Sequence, residues 1–301
     1  MKSTIHEFQK NNLQGLSKNL KKSIAFFLVA IIGISCSKGD DPTLTSIIPT
    51  STNQFRIKEV RDANNVLLKS YSYNSQNQET NLTQGDNTIR TFYNNVSGKK
   101  IKTIETIANQ STDIVIEFNY NANNELEEVI KKNGATPYQK NTYTYLNGNI
   151  NTSKKYITQA QGFWLLDNES NYTYNSNNQN TEITVTNNSK TTFDYDLNGN
   201  LILETYYIAT TNTVGIPVVT FKLSSKKIYT YDNTKPVYYP NSTLSKNNIT
   251  EFVYKTYNTT TGALINSTTQ IFTYDYNLEG NISKSYLNGV LQFNYILEKI
   301  N

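Results

Sequence analysis

Two groups of acidic side chains have the residue types and spacing that could support hydrolytic chemistry. Glu125, Glu127 and Glu128 follow an Asn-rich stretch, and Asp194 and Asp196 share one face of an extended segment. Glycosidases need only two carboxylates about 5 to 10 Å apart, one acting as acid and the other as base or nucleophile. The charges of a solvated turn or strand explain both groups, and we predict that the protein is not an enzyme.

Other side chains with catalytic uses are scarce. His6 is the only histidine and Cys36 the only cysteine. Because the sequence around His6 predicts a leader that is cut off, imidazole triads, histidine-bound zinc and histidine bases are excluded from the remaining chain. A single cysteine cannot form a disulfide within the chain. We therefore predict no catalytic residue, no metal and no cofactor.

Residues 194–199 imitate the start of a calcium-binding EF-hand loop. Asp194, Asp196 and Asn198 alternate as calcium ligands do, and Gly199 occupies the turn position. The end of the loop does not fit, because its twelfth position is Thr205. The flanking segments are typical of strands rather than helices. A hairpin turn is therefore the better interpretation.

One aromatic residue is a candidate ligand contact. Trp164 is the only tryptophan, and it lies in residues 161–166, a segment less regular than its surroundings. Exposed Trp and Tyr rings can stack on sugar faces. Packing within a sheet is the commoner fate of such a ring, and it remains the alternative.

The elements that would position these residues come from one recurring phrase. It consists of an aromatic residue, any residue, Tyr, Asn or Asp, and a short turn rich in Asn and Gly. Full copies begin at positions 71, 118, 172, 193, 229 and 272, a copy at 143 continues with Leu146, and looser copies begin at 91 and 252, so that successive copies are 20 to 36 residues apart. Self-similarity at such a period indicates a repeat architecture.

Each phrase predicts a β-hairpin. Residues i and i+2 of a strand face the same side, so the two aromatic residues form a ladder on one sheet face. Asn, Asp and Gly then tolerate the left-handed backbone of a tight turn. The one helix-like spacing, Ile101, Ile104 and Ile107, is interpreted as a strand with a bulge.

The predicted fold class is all-β. Nine hairpins imply about 14 to 18 strands, more than a flat sheet usually carries. We expect an antiparallel β-meander of repeated aromatic hairpins, strongly twisted and rolled into an open or closed barrel-like sheet. A membrane-spanning barrel shares this alternation. Short strands with Lys, Asn or Glu on both faces favour a soluble rolled sheet instead.

This pattern resembles two groups of proteins. One is the YD-repeat (RHS-repeat) proteins, whose signature is Tyr-x-Tyr-Asp-x-x-Gly-x-Leu, and the other is Bacteroidota porin-like proteins of unknown function. Residues 193–201, Phe-Asp-Tyr-Asp-Leu-Asn-Gly-Asn-Leu, match the signature best. The resemblance covers residues 55–300 and implies a sheet of hairpins rather than an activity. Most turns depart from the signature by carrying Asn in place of its Gly.

The start of the chain has the order of an export signal. Residues 1–22 are polar and basic, residues 23–34 form an apolar run, and Ser35 precedes Cys36. The run is shorter than the roughly 20 apolar residues that span a bilayer, which favours a cleaved signal. The junction resembles the lipobox of bacterial lipoproteins, which implies cleavage after Ser35 and acylation of Cys36. Gly33 departs from the usual aliphatic residue. An ordinary soluble signal and an uncleaved anchor remain as alternatives.

The residues that follow Cys36 predict a flexible tether and a localisation signal. Lys38, Asp40 and Asp41 resemble the surface-export signal of Bacteroidota lipoproteins, which implies the outer leaflet of the outer membrane. A periplasm-facing anchor is the alternative. The predicted domains are a signal peptide at 1–35, a Ser/Thr/Pro-rich flexible tether at 36–54 and a YD-repeat-like β-meander at 55–301.

The charge distribution excludes one class of partner. The chain has 28 basic and 24 acidic residues, and removing residues 1–35 leaves 23 of each. A neutral body gives no footprint for nucleic acid. We predict a surface-exposed outer-membrane lipoprotein, held on the membrane through Cys36, that acts as a non-catalytic binding or cell-envelope interaction module for a glycan or protein ligand. The alternative is a carbohydrate-binding accessory protein or a weak carboxylate-dependent glycan hydrolase with acidic residues near Trp164.

Overall fold

The described part of the chain is built of β-strands. A computed structural model describes residues 55–94, 96–159, 162–212, 218–236 and 247–300. Within these ranges no helix is long and apolar enough to cross a membrane. The strands are β1 (Phe55–Asp62), β2 (Leu67–Tyr73), β3 (Glu79–Gln84), β4 (Asn87–Tyr93), β5 (Lys100–Ile107), β6 (Ile114–Tyr120), β7 (Leu126–Asn133), β8 (Thr136–Leu146), β9 (Asn149–Thr158), β10 (Trp164–Tyr174), β11 (Asn180–Val185), β12 (Ser189–Tyr195), β13 (Leu201–Asn212), β14 (Val218–Pro236), β15 (Asn247–Tyr257), β16 (Leu264–Tyr276), β17 (Ile282–Leu287) and β18 (Val290–Lys299).

These strands form one closed antiparallel barrel. Each strand pairs with the next along the chain, and β1 pairs with β18 as well as with β2 in the 18-stranded sheet. The closing register runs from Phe55 opposite Lys299 to Asp62 opposite Phe293. The predicted all-β meander is therefore confirmed, and the closed form is the one that the chain adopts.

The up-and-down order gives the barrel two different ends. Consecutive strands run in opposite directions, so all turns after even-numbered strands lie at one end and all turns after odd-numbered strands at the other. We call the first end the clasped rim, formed by residues 74–78, 94 with 96–99, 121–125, 147–148, 175–179, 196–200 and 277–281. We call the second end the hairpin rim, formed by residues 63–66, 85–86, 108–113, 134–135, 159 with 162–163, 186–188, 258–263 and 288–289.

The recurring Asn or Asp builds the turns of the clasped rim. In five of these turns its side-chain oxygen accepts a hydrogen bond from the backbone N–H of the residue four positions later, at 2.8 to 3.0 Å. The side chain thus replaces a backbone partner and fixes the turn. The fourth residue of each turn has a positive φ, which Asn and Gly tolerate, as at Asn77 and Gly199. In the last copy the turn begins at Asn277, whereas Asp275 stays in β16.

The aromatic residues of the recurring phrase share one face of the sheet, which we call the tyrosine face. The register places Tyr71 opposite Leu82, Tyr143 opposite Ser153 and Tyr172 opposite Ile183. Small side chains fill the spaces beside the rings, and Ser153 lies 3.0 Å from the Tyr172 hydroxyl. Most buried side chains of the described ranges lie on this face or at its ends. The buried set is Val60, Thr91, Thr103, Leu126, Val129, Ile150, Ser170, Ser189, Asn200, Leu201, Thr205, Ser225, Tyr229, Asn248, Phe272, Asn281, Ile282 and Ser285.

Tyrosine hydroxyls then tie neighbouring strands together at the clasped rim. In seven even-numbered strands a tyrosine near the strand end donates its hydroxyl to a backbone carbonyl near the start of the preceding strand, at 2.6 to 3.0 Å. We call each of these contacts a clasp. The clasps join Tyr73 to Ile57, Tyr93 to Glu79, Tyr120 to Lys100, Tyr145 to Leu126, Tyr195 to Asn180, Tyr231 to Leu201 and Tyr274 to Ile249.

Burial of the clasp tyrosines changes their acidity. Burial raises the pKa of Tyr73, Tyr145 and Tyr195 from 10.0 to about 12. Burial also raises the pKa of Tyr229, on the tyrosine face, and the nearby Glu204 carboxylate adds to the rise. The neutral phenol is therefore the form that the folded barrel favours, and it is the form that can donate a clasp.

The opposite face, which we call the charged face, carries cross-strand ion pairs. They include Lys132 with Glu117 at 2.7 Å and Lys154 with Glu169 at 3.4 Å. Both pairs are partly exposed, so each contributes only about 0 to 1 kcal/mol to stability.

The bulge predicted for the stretch from Ile101 to Ile107 is confirmed in β5. Phe92 pairs with Lys102 and Tyr93 with Lys100, which leaves Ile101 as the extra residue.

Candidate interaction surface

Three hairpins extend past their neighbours at the hairpin rim. β10 pairs with β11 only from Ser170 onward, so residues 164–169 pair with β9 alone. The residues of β13 after Ile208 and the residues of β14 before Ser225 pair only with each other. β16 pairs with β17 only from Phe272, and residues 264–270 pair with β15 alone. We call β9–β10, β13–β14 and β15–β16 the long hairpins.

Exposed apolar side chains concentrate at the hairpin rim. Proteins seldom leave such groups together in water unless they mark a contact surface. Seven of them belong to the long hairpins, namely Phe163, Leu165, Leu166, Ile208, Val219, Leu264 and Ile265. The same rim also exposes Val66, Leu67, Tyr138 and Val290. At the clasped rim Leu146, Leu197 and Leu278 are exposed singly at turns or beside them, and Val96 is exposed together with Phe92 and Ile101.

Trp164 opens β10 on the charged face and is half-buried. The Lys140 ammonium lies 5.1 Å from the Trp164 ring centroid and 5.2 Å from that of Tyr156, which is directly opposite Lys140 in the register. Glu128 completes the group at 3.6 Å from the same ammonium. A cation at these distances is attracted by both ring faces. The Trp164 ring is thus covered on one face by Lys140, and it follows directly after Phe163, which is 70% exposed.

A second group with the same layout lies four strands further along the barrel. Lys190 is directly opposite Tyr207, and its ammonium lies 5.2 Å from the Tyr207 centroid and 5.5 Å from that of Phe221. Glu182 is the acidic partner, again at 3.6 Å. Sequence reasoning missed this group because its members come from four strands, and only the register brings them together. Both groups lie beneath long hairpins.

Two of the three acidic residues noted at positions 125 to 128 have hydrogen-bond or ion-pair partners in the fold. Glu125 accepts a hydrogen bond from the Asn121 amide within its turn. Glu127 is exposed and is the extra residue of a bulge in β7, because Asn119 pairs with Glu128 and Tyr120 with Leu126. Glu128 is paired with Lys140, as described above. Glu125 and Glu128 are thus each held by a partner from the fold.

The EF-hand-like stretch is a hairpin turn between β12 and β13. Asp194 lies in β12, and Asp196 begins the turn. Asp196 accepts hydrogen bonds from the backbone and the side-chain amide of Asn200. Burial by itself raises the pKa of Asp196, but the hydrogen bonds from Asn200, Asn198 and Gly199 outweigh it and lower the pKa. The carboxylate oxygens of Asp196 are therefore engaged in the hydrogen bonds that stabilise the turn. Within the described ranges no cluster of acidic, His or Cys side chains could hold a metal ion.

The predicted lipidation and export residues lie outside the described residues. These are Ser35, Cys36, Lys38, Asp40 and Asp41.

Comparison with known proteins gives weak structural likenesses. No protein-family model matches the chain, and no curated protein matches it. A porin-like protein from Bacteroides vulgatus is 11% identical over 80% of this chain and 97% of its own, with a TM-score of 0.39. A porin-like protein from Bacteroides uniformis is 14% identical over 76% of this chain and 90% of its own, with a TM-score of 0.36.

A TcdB2-TccC3 structure is also 14% identical over 74% of this chain, with a TM-score of 0.34, and this chain covers 13% of it. Porin-like proteins of Bacteroides are thus among the structures that this barrel resembles weakly, as the sequence suggested. The family models and the curated proteins give no evidence for a lipoprotein or a YD-repeat family.

Proposed function

We propose that this protein is a surface-exposed outer-membrane lipoprotein whose barrel serves as a non-catalytic binding or cell-envelope interaction module. The observation that carries the proposal is the concentration of exposed apolar side chains on the long hairpins, on the rim opposite to the clasps. Contiguous exposed apolar groups favour contact with another molecule. The export signal and Cys36 provide the attachment to the membrane.

Site-specific photo-crosslinking in cells tests where a partner binds. The photoreactive residue p-benzoylphenylalanine replaces Phe163, which is 70% exposed at the tip of β9–β10. The expected result is a discrete adduct of higher mass. The matched control replaces Leu197, which is fully exposed at the clasped rim. Equal labelling at both sites, or none at Phe163, would contradict the proposed interaction surface.

Lipid attachment and orientation are tested separately. Metabolic labelling with an alkyne fatty acid should mark the wild type and leave Cys36→Ala unmarked. Protease treatment of intact cells should remove the barrel from the surface. Acyl label retained in Cys36→Ala would reject the lipobox, and full protection of the barrel from protease would reject the outward orientation.

A carbohydrate ligand is a second candidate because Trp164 and Tyr156 stand side by side below the exposed Phe163. Aromatic rings in such a group favour stacking on sugars. Since Trp164 is the only tryptophan, its fluorescence reports directly on this hairpin. Titration with soluble α-mannan, β-glucan and peptidoglycan fragments should change the emission if a glycan binds here. A signal that persists in Tyr156→Ala would place the sugar elsewhere.

A further inference from the structure

Long hairpins leave strand edges without a neighbour, and one of these edges differs from the others. At the hairpin-rim ends of the long hairpins, four described stretches of four or more residues pair with a strand on one side only, namely residues 164–169 of β10, 209–212 of β13, 218–223 of β14 and 264–270 of β16. Natural proteins protect such edges with charges, bulges or Pro, because an unprotected edge pairs with other chains.

The edges of β10 and β14 carry such protection. In β10 the register shifts between Leu166 and Asn168, and Asp167 is ion-paired with Lys155 at 2.8 Å. The edge of β14 contains Lys222. The edge of β13 is only four residues long. None of these three offers a long, regular and neutral stretch of backbone.

The edge of β16 is less protected, because its one register shift lies near the hairpin tip, where Ile265 is the extra residue between Leu264 and Asn266. Its sequence, Leu-Ile-Asn-Ser-Thr-Thr-Gln, contains no charge and no Pro, and the register against β15 is regular from Asn266 to Ile271. Residues 264–269 are all exposed, so neither face of the strand is covered. Seven residues of strand offer about 24 Å of pairing edge.

The direction of the free backbone groups follows from the capping contact at the base of this edge. Asn288 donates its backbone N–H to the Ile271 carbonyl, and its side chain accepts from the Ile271 N–H. The backbone groups of Ile271 therefore point away from β15. Because this direction alternates along the regular part of the strand, the backbone groups of Ser267 and Thr269 point the same way.

We propose that this edge pairs with the same edge of a second copy of the chain, antiparallel about a two-fold axis at Ser267. This register places Ser267 opposite the second copy's Ser267 and Ile265 opposite its Thr269. The outward backbone groups of Ser267 then form about two main-chain hydrogen bonds at the axis, and those of Thr269 in each copy lie opposite the bulged Ile265 of the other.

The side chains at the two ends of the edge are complementary in this arrangement. The exposed Ile265 near the hairpin tip becomes a diagonal neighbour of the second copy's exposed Ile271 at the base, on the same face. The tip also fills the space above the second copy's turn at 288–289, next to its Val290, which is 63% exposed. The apolar hairpin tip of each copy therefore contacts the apolar base of the edge in the other copy, and the two-fold axis gives two such contacts.

Electrostatics permit the contact. The edge has no charged residue, and the nearest lysines, Lys255 opposite Ser267 on β15, belong to the outer strands of the resulting four-stranded arrangement. Three strand spacings separate them by about 14 Å, beyond the Debye length at physiological salt. This proposal goes beyond the proposed function and needs no envelope partner.

Cysteine cross-linking of purified full-length protein in detergent micelles tests the two-fold register. Ser267→Cys should form a covalent dimer with itself when copper phenanthroline is added as oxidant, since facing residues in an antiparallel pair lie about 5.5 Å apart and within disulfide reach. The matched control is Leu165→Cys on the protected edge of β10, which should stay monomeric. Non-covalent association of the wild type should also be detectable by light scattering.

Ser267→Lys is the disruptive variant, because it places two lysines directly opposite each other at the axis. It should weaken self-association several-fold, whereas Leu165→Lys should not change it. A monomeric wild type at every accessible concentration, equal cross-linking of both cysteine variants, or a Ser267→Cys adduct with a different chain would overturn the proposal. Since no envelope component is present, failure here would leave the Phe163 cross-linking result unaffected.

Discussion

The two rims of the barrel use the same kind of hairpin for opposite purposes. At the clasped rim a tyrosine hydroxyl, an Asx turn and a register shift before the last tyrosine recur around the ring. Side-chain amides also link neighbouring turns, as Gln78 does by donating to the Gly98 carbonyl at 2.6 Å. At the hairpin rim, strand lengths vary and apolar side chains are exposed. The repeated phrase therefore stabilises one end and leaves the other end free to diversify.

High pH should produce the largest difference between the rims, because it acts on many clasps at once. The folded pKa of Tyr73, Tyr145 and Tyr195 is raised to about 12 from 10.0, so the folded state holds these protons where the unfolded chain loses them. Their stabilisation is complete below pH 10 and is lost as the pH rises towards 12. Tyrosinate absorbance and circular dichroism should change together in that window. Normal titration of these tyrosines near pH 10 with the barrel intact would contradict the role of the clasps.

Truncation of a buried leucine should give the next largest effect. Leu201 is 1% exposed at the clasped rim, and Leu201→Ala should lower the free energy of unfolding by about 2 to 5 kcal/mol through lost burial and the cavity left behind. Leu264→Ala at the hairpin rim removes the same atoms from a site that is 54% exposed and should change it by less than about 0.5 kcal/mol. Guanidinium denaturation measures both. Similar losses would remove the distinction between the rims.

Loss of a single clasp should have a smaller effect. Tyr195→Phe removes the hydrogen bond to the Asn180 carbonyl and should destabilise the barrel by about 0.5 to 1.5 kcal/mol. Tyr138→Phe, at the hairpin rim and partly exposed, should be close to neutral. Clasps that share no residue should add, so Tyr120→Phe combined with Tyr195→Phe should lose the sum of the two single effects. A clear departure from the sum in thermal unfolding would show that the ring acts as one unit.

Polar replacement on a long hairpin should have the smallest effect on stability. Leu165→Ser and Leu166→Ser change side chains that are already nearly half exposed and should shift the unfolding free energy by less than about 0.5 kcal/mol. The same variants should reduce the Phe163 photo-adduct. If they unfold the barrel instead, the hairpin tips belong to its packed structure.

The sequence predicted the parts of this architecture that depend on local chemistry. Alternation placed the aromatic residues on one face, and Asn or Gly at positive φ marked the turns. It could not predict which carbonyl Tyr195 would reach, because the acceptor Asn180 lies on another strand. It also gave no sign that Lys190 would meet Phe221, since strand lengths and registers decide that contact. The pairing of β1 with β18, which closes the barrel, could not be predicted either, because local patterns do not encode pairing between strands at opposite ends of the sequence.

The closure of the ring has a consequence for how the chain folds. Arg56 of β1 binds Glu298 of β18 across 242 residues of sequence, and the hydrogen bond between them is 2.6 Å long. Hairpins can form one after another as the chain emerges, but β1 has no second neighbour until the last strand exists. Contacts of such separation form slowly, because the entropy of closing the loop must be overcome first. Until then β1 and β18 are both open edges, and this interval is the one in which the chain is most exposed to aggregation.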